Sequence, residues 1–428
     1  MDSYSETLNR IYNLRGGVID LRLDRMDRAL ALFDHPEKQF LSFHIAGTNG
    51  KGSTAAMLHR ILSLAGYRTA LYTSPHLVSF TERIRVGNGE ISPEEVVELA
   101  DEVQERTAAA DVPLTFFEFV TVMAFIYFAR QQVEVAVVEV GLGGRLDATN
   151  LVKPIVSLIT TISKDHEAYL GSDLLSIARE KGGIIKSGVP VVIGALPEVV
   201  ADLLVGLARD QGAPAYILGQ HYRISLKNTG VFDYTGINQN FYSVSVALRG
   251  RHQRNNASVA LAALEMASAT FPVSADALRE GLRTVTWPGR FEIMMQSPTV
   301  ILDGAHNGEG VKALIEALRE YHRRGKVKLL FASMEDKDWR LMLNLLEPVV
   351  DEAVLTRVQM DRSADPKTLS SYLTDRIRHR VIEDSRFALR SMLDAAHPDE
   401  IVLVAGSLYL LGEVRPVAEE VANQVRPA

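Results

Sequence analysis

Lys51 sits in Gly47-Thr-Asn-Gly-Lys-Gly-Ser53, a glycine-rich run carrying one lysine and a serine hydroxyl. That composition suits a phosphate cradle. Glycines let backbone N–H groups close around phosphate oxygens, a lysine meets the β/γ-phosphates, and a Ser hydroxyl can ligate Mg²⁺. The spacing departs from the common G-x-x-x-x-G-K-[ST] form, because Gly52 separates Lys51 from Ser53. Thr48, Asn49, Gly50, Lys51, Gly52 and Ser53 are the candidate nucleotide contacts.

Three further groups fall where strands are expected to end. Ser74 follows Thr69–Thr73, either as a metal-facing hydroxyl or as a plain Ser-Pro turn. Glu139 closes the apolar run Val133–Val140, a position from which a carboxylate holds Mg²⁺ directly or through water. His166 follows Ile155–Ile162 on the same expected edge, as a metal ligand or a structural histidine. The Gly141-Leu-Gly-Gly144 run after Glu139 could instead belong to a dinucleotide fold, but the second half of that fingerprint is missing. Lys181 reads as a solvated helix end. Asn255 and Asn256 read either as helix caps or as groups meeting a nucleotide. Asp303-Gly-Ala-His-Asn307 reads as ligand groups at a strand end or as a capped turn.

The elements that must hold these groups are patterned accordingly. Phe40–Ala46 is a strand-type run, and Met57, Leu58, Ile61, Leu62 and Ala65 recur with helical spacing up to Gly66. Helices are expected over Pro93–Ala108, Phe116–Arg130 and Leu174–Lys181, with a strand over Val189–Ile193. Alternation between residues 220 and 250 predicts a small antiparallel insert or edge, and an Ala-rich helix should run from His252 to about Thr270. Trp287-Pro-Gly-Arg290 marks the expected boundary. Strands near Val300–Asp303, Val327–Ser333, Glu352–Thr356 and Ile401–Ala405 then alternate with helices. The fold class is α/β: a P-loop ATPase domain with a mostly parallel sheet (1–290) and a smaller Rossmann-like C-terminal domain (291–428).

The bulk properties narrow the function. Net charge is −7 over 428 residues, which disfavours nucleic acid as the main partner. The absence of cysteine excludes disulfides and thiolate metal sites. No apolar run approaches the roughly 20 residues of a membrane span, and Met1-Asp-Ser-Tyr-Ser-Glu lacks a signal-peptide core. A cytoplasmic monomer acting on small molecules is expected.

Several motifs coincide in one family. Gly47–Ser53, Tyr72-Thr-Ser-Pro-His-Leu77, Thr81-Glu-Arg-Ile-Arg85, Val138–Asn150, Arg179–Ile185, Pro288-Gly-Arg-Phe291, Asp303–Asn307 and Gly406-Ser-Leu-Tyr409 together resemble folylpolyglutamate and dihydrofolate synthases of the Mur ligase superfamily. The resemblance implies ATP-dependent addition of L-glutamate to a folate-type carboxylate through an acyl phosphate. It implies ATP at Thr48–Ser53, Asn256, Arg290 and Asp303, and Mg²⁺, two ions, at Ser53, Ser74, Glu139, His166 and Lys181. Lys181 matches a lysine carried in the family as a carbamate. With Lys51 and His306 it forms the implied catalytic set. Asp20, Leu21, Arg22, Thr115, Phe116, Phe117, Glu118, Arg145 and Asp147 match segments around a pterin. Two departures stand out: Arg22 replaces an expected Gly, and Gly183 replaces the usual Ala. The rival readings are a cell-wall Mur ligase, a nucleotide-gated binding protein and, most remote, a Rossmann oxidoreductase.

Overall fold

The computed structural model describes residues 3–14, 22–228, 230–321, 326–373 and 377–425. Asp20 and Leu21 lie outside the described residues. The chain forms two compact units, residues 1–247 with 254–285 and residues 248–253 with 286–428.

The first unit opens with helices α1 (Tyr4–Tyr12) and α2 (Asp24–Ala31). Strand β1 (Leu41–Ala46), helix α3 (Lys51–Leu64), β2 (Thr69–Tyr72), β3 (Ile84–Val86) and β4 (Gly89–Glu90) follow. Next come α4 (Pro93–Ala109), α5 (Phe116–Arg130), β5 (Val135–Glu139), β6 (Pro154–Ile159), α6 (Glu167–Leu170), α7 (Leu174–Gly182), β7 (Val191–Ile193), α8 (Glu198–Asp210) and β8 (Ala215–Ile217). The strands form one sheet ordered β4-β3-β2-β5-β1-β6-β7-β8. It is parallel from β2 to β8, and β3 and β4 add antiparallel pairings at one edge. This order has a direct consequence for the site. The carboxyl ends of β2, β5, β1 and β6 are neighbours, so the chain leaving each of them emerges at one sheet edge.

Burial explains why these segments are strands and helices. All of β5 is buried, as expected of a central parallel strand covered on both faces. Ala136 and Val138 join the core formed with α4 and α5, so the alternate Val135 and Val137 face the other side. Helix α5 is apolar almost all round and buried from Glu118 to Phe128. Its start is set by Thr115 and Glu118 as a reciprocal cap, and that of α4 by Ser92 and Glu95.

The expected insert is a three-stranded antiparallel sheet of β9 (Arg223–Asn228), β10 (Val231–Thr235) and β11 (Asn240–Ser245). Glu265 on α9 (Arg251–Met266) anchors it, accepting from the Tyr234 hydroxyl (2.5 Å) and the Asn238 N–H (2.6 Å). Because α9 already begins at Arg251, Asn255 and Asn256 lie inside the helix and do not cap it. Helix α10 (Ala275–Thr284) packs on α3, with Gly281 against Ile61.

The second unit takes up the chain at Thr286 and also claims residues 248–253, where Arg249 lies over the Tyr321 ring at 5.1 Å. Its elements are β12 (Glu292–Gln296), β13 (Thr299–Leu302), α11 (Gly308–Tyr321), β14 (Val327–Phe331), α12 (Trp339–Leu346) and β15 (Glu352–Arg357). They continue with α13 (Pro366–Leu373), β16 (Arg378–Asp384), α14 (Ser385–Asp394), β17 (Ile401–Ala405) and α15 (Leu408–Val425). The sheet order is β12-β13-β17-β14-β15-β16, parallel except for β12. Strands β12 and β16 have no counterpart in the sequence pattern. Both are edge strands, and Arg-His-Arg-Val-Ile-Glu-Asp in β16 carries the charge that edges use against stray pairing.

Candidate active site

The loop after β1 is locked by its surroundings before any ligand enters. Its Thr48 N–H donates to the Thr161 carbonyl (2.7 Å), and the Asn49 N–H donates to the Thr161 hydroxyl (3.0 Å). The Thr48 hydroxyl and the Ser163 backbone exchange two more hydrogen bonds, at 3.1 and 3.0 Å. The Thr160 hydroxyl donates to the Asn49 carbonyl at 2.7 Å. Glycine is obligatory at two points. Gly47 has φ +153°, and a Cβ there would stand 1.9 Å from the Thr160 hydroxyl. Gly50 has φ +87°, and its Cβ would stand 2.5 Å from the Asn256 Oδ1. Asn256 therefore packs directly on the loop that opens α3.

Two lysines converge on this loop. Lys51 Nζ donates to the carbonyls of Gly47 (3.1 Å) and Thr48 (3.3 Å) and lies 4.0 Å from Glu139 Oε1. Lys181 Nζ donates to the same Gly47 carbonyl at 2.9 Å. The solvated reading of Lys181 is thus overturned: it is 5 % exposed, because α7 ends beneath the loop. Burial, with Lys51 nearby, lowers its pKa to about 7, against the opposing pull of Asp165 and Asp147. Glu139 is also buried and accepts from the Ser74 N–H at 3.2 Å. Ser53 is buried in the first turn of α3. His166 stands apart in character, 41 % exposed, with its Nε2 4.0 Å from Asp165.

Beside Glu139 the chain forms an aromatic wall. Phe117 lies against Gly141 and 6.1 Å from the Tyr72 ring. Phe116 stacks on Tyr12 at 5.5 Å, and the Arg83 guanidinium sits 5.2 Å over it. Arg83 Nε also donates to His76 Nδ1 at 2.8 Å. Burial first, then Arg83, lowers the His76 pKa to about 4, so the ring is neutral. Glu82 holds the His76 loop by accepting from the N–H groups of Leu77, Val78 and Ser79 at 2.7, 2.8 and 2.7 Å. Glu118 is committed elsewhere: it makes a buried pair with Arg25 (2.7 Å) and accepts from Thr115. Arg145 is surface-facing, bonded to Glu180 at 2.9 Å, and Arg22 is exposed. Asp147 is fully buried and accepts from the Leu142 N–H (2.9 Å) and the Thr149 N–H (3.0 Å). Burial raises its pKa despite these bonds.

In the second unit, Asp303 at the end of β13 accepts from the Phe291 N–H (2.8 Å) and the Ala305 N–H (2.9 Å). Its pKa is raised by burial, opposed first by Arg290. His306 Nδ1 meets the Gly304 carbonyl at 2.7 Å. The Asp303–Asn307 turn therefore ties Arg290, Asp303 and His306 into one local cluster beside β17.

Residues 45–264 match the Mur ligase middle domain, and residues 289–408 match the Mur ligase glutamate ligase domain. The chain belongs to the Mur ligase superfamily, in its dihydrofolate synthase/folylpolyglutamate synthase branch. It is 35% identical to the dihydrofolate synthase/folylpolyglutamate synthase of Bacillus subtilis over 92% of this chain and 94% of that protein. The corresponding protein of Escherichia coli is 34% identical over 96% and 94%. Among solved structures, E. coli FolC in complex with DHPP and ADP superposes with a TM-score of 0.91 at 32% identity, covering 98% of both chains. A bifunctional folylpolyglutamate synthase/dihydrofolate synthase with Mn, AMPPNP and L-glutamate bound gives 0.87 at 32% identity, again over 98% of both.

In this Mur ligase chain the Glu139 carboxylate lies 4.0 Å from Lys51 and takes the Ser74 N–H, and Ser53 stands two residues after Lys51 in α3. Carboxylate and hydroxyl oxygens are hard donors of the type that suits a small divalent cation. Among the described residues, no three His, Asp or Glu side chains form a ready-made metal cluster. Thr160, Thr161 and Ser163, which hold the phosphate loop, carry no motif that marks them in advance. Tyr12, His76 and Arg83 are absent from the candidate residues, although His76 and Arg83 lie inside the quoted Tyr72–Leu77 and Thr81–Arg85 segments.

Proposed function

We propose that this ligase joins L-glutamate to folate-type carboxylates, accepting dihydropteroate as well as reduced folates, and releases ADP and phosphate. The substrate carboxylate attacks the γ-phosphorus of ATP, giving an acyl phosphate and ADP. The glutamate amine then attacks the acyl carbon, phosphate leaves and the amine loses a proton. The observation that carries this reading is the convergence of Lys51, Lys181 and Glu139 on one phosphate loop, next to the wall of Phe116, Phe117 and Tyr12. Charge neutralisation stands beside a surface that suits a flat ring.

In this reading Thr48–Ser53 and Asn256 hold the ATP phosphates, and Lys51 stabilises the charge of the group in flight. Arg290 and Asp303 serve the nucleotide, and His306 serves the reacting groups. Ser53, Ser74, Glu139 and His166, with Lys181 as a carbamate, would hold Mg²⁺, which screens the anionic phosphates. The amine of Lys181 supports this assignment. With a pKa near 7, much of it is unprotonated at neutral pH and nucleophilic towards CO₂. Asp147, Arg145 and Thr115–Glu118 border the pterin side. The enzyme is placed in the cytoplasm as a monomer, with residues 1–290 as the ATP domain and 291–428 as the glutamate-ligase domain.

The test is purified protein with ATP, Mg²⁺ and glutamate, offered dihydropteroate or tetrahydrofolate, with products read by mass for added glutamyl units. Addition to both supports the dual enzyme. Addition to tetrahydrofolate alone restricts it to chain extension. No pterin-dependent ADP in either case overturns the reading.

A further inference from the structure

His44 lies in the middle of β1, between Val138 of β5 and Ser157 of β6 in register, and is completely buried. An aliphatic residue would satisfy such a position without cost. An imidazole there loses its hydration and must regain hydrogen bonds, yet its Nδ1 is buried with no partner among the described residues. Its Nε2 lies 2.9 Å from the Thr149 hydroxyl, within hydrogen-bond reach. That hydroxyl gives its own proton to Asp147 Oδ1 at 2.5 Å, so it accepts from the His44 Nε2–H. Burial drops the ring's pKa to about 3, which makes it a permanently neutral donor.

The far end of this relay reaches the substrate side. Asp147 Oδ1 takes the Thr149 N–H and hydroxyl, and Oδ2 takes the Leu142 N–H. The turn so held begins at Gly141, directly under the Phe117 ring. The same stretch is pinned to the end of α7, where the Arg145 N–H donates to the Glu180 carbonyl and Asn150 Nδ2 donates to the Gly183 carbonyl. Strand β1 thus carries the phosphate loop at its end and, through one interior side chain, the orientation of the Asp147 turn.

We propose that His44 is a positioning residue for the ligase: through Thr149 it orients the Asp147 carboxylate and the Gly141–Asp147 turn against the pterin-bearing substrate. This inference rests on the functional reading above for its substrate but not for its geometry. A residue of this kind affects one substrate selectively, whereas a merely structural histidine lowers stability without such selectivity.

The experiment uses the full chain with His44→Phe, His44→Gln, Thr149→Val and the double variant His44→Phe/Thr149→Val. KM for dihydropteroate and for ATP is measured separately, and hydrogen exchange is followed over residues 141–147. Loss of one relay bond should raise KM for dihydropteroate about 3- to 10-fold. KM for ATP should change less than about twofold on the same scale. The double variant should be no worse than the poorer single one, since both cut the same relay. His44→Gln, whose amide can donate to Thr149, should restore most of the loss. Exchange at the Leu142 N–H should speed up in His44→Phe and Thr149→Val. Equal shifts in both KM values, additive effects, or unchanged exchange would overturn the relay. A wild-type chain inactive on both pterins would sink the functional reading instead, while exchange still judges the relay.

Discussion

Lys181 Nζ and the Gly47 carbonyl lie 2.9 Å apart although 134 positions separate them in the chain. The same carbonyl also takes Lys51 Nζ at 3.1 Å. Two lysine amines share one peptide oxygen, and the buried one, Lys181, is the one whose neutral form burial favours. Replacing Lys181 by Ala should reduce turnover by on the order of a hundred- to a thousandfold. If its working form is a carbamate, formate or acetate should restore part of the rate. Rates measured with and without added carboxylate decide this, and full activity without rescue would dismiss the carbamate.

Lys51, the first residue of α3 after β1, and Glu139, the last residue of the neighbouring β5, stand 4.0 Å apart. Lys51→Ala should abolish measurable ADP release, a loss of about a hundredfold or more. Near-normal kcat would remove it from phosphoryl transfer. Glu139→Gln should shift the Mg²⁺ titration to higher concentration, and an unchanged curve would place the cation elsewhere.

The Arg25–Glu118 pair ties α2 to α5 in a buried setting, with Glu118 also completing the cap of α5. Cutting one side, as in Arg25→Met, leaves a buried carboxylate without its cation and should cost about 3–5 kcal/mol. Arg25→Met/Glu118→Leu should recover much of that loss. Denaturant midpoints of the three proteins test the pair, and a neutral single variant would show that Glu118 finds other compensation.

Acid stability should fall over a defined window. His59 is buried in α3, and burial, reinforced by Arg85 and Arg60, lowers its pKa from 6.5 to about 4. The unfolded chain therefore binds a proton below pH 6.5 that the folded chain refuses until about pH 4. Stability is full above pH 6.5, declines as pH falls towards 4, and levels off below. The slope for one such group is up to about 1.4 kcal/mol per pH unit. His59→Leu should flatten the dependence of Tm on pH across this window, leaving the parallel contributions of His44 and His76. An unchanged slope would mean that His59 titrates normally.

Much of the site was legible from local pattern. The strand–glycine–lysine–helix sequence of residues 40–66 forms as expected, since apolar runs, glycine turns and helical periodicity are short-range properties. The carboxyl-edge placement of Ser74 and Glu139 followed from the ends of apolar runs. Lys181 misled because a lysine in the last turn of a helix is usually solvated, and nothing nearby in sequence reveals the loop above it. Glu118 belongs to the same class: its spacing from Thr115 announces a cap, but its partner Arg25 is 93 positions away.

The residue types and their neighbours were enough to establish the chemistry, a nucleotide phosphate loop with hydroxyl and carboxylate oxygens at strand ends, because those features are written within single turns and strands. Which groups meet was decided by strand order. With β5 and β6 flanking β1, the loops from four strands share one edge. Lys181, Thr160 and Thr161 reach the phosphate loop there, and His44 reaches Asp147 through the sheet. Such contacts depend on long-range pairing, which no local pattern encodes.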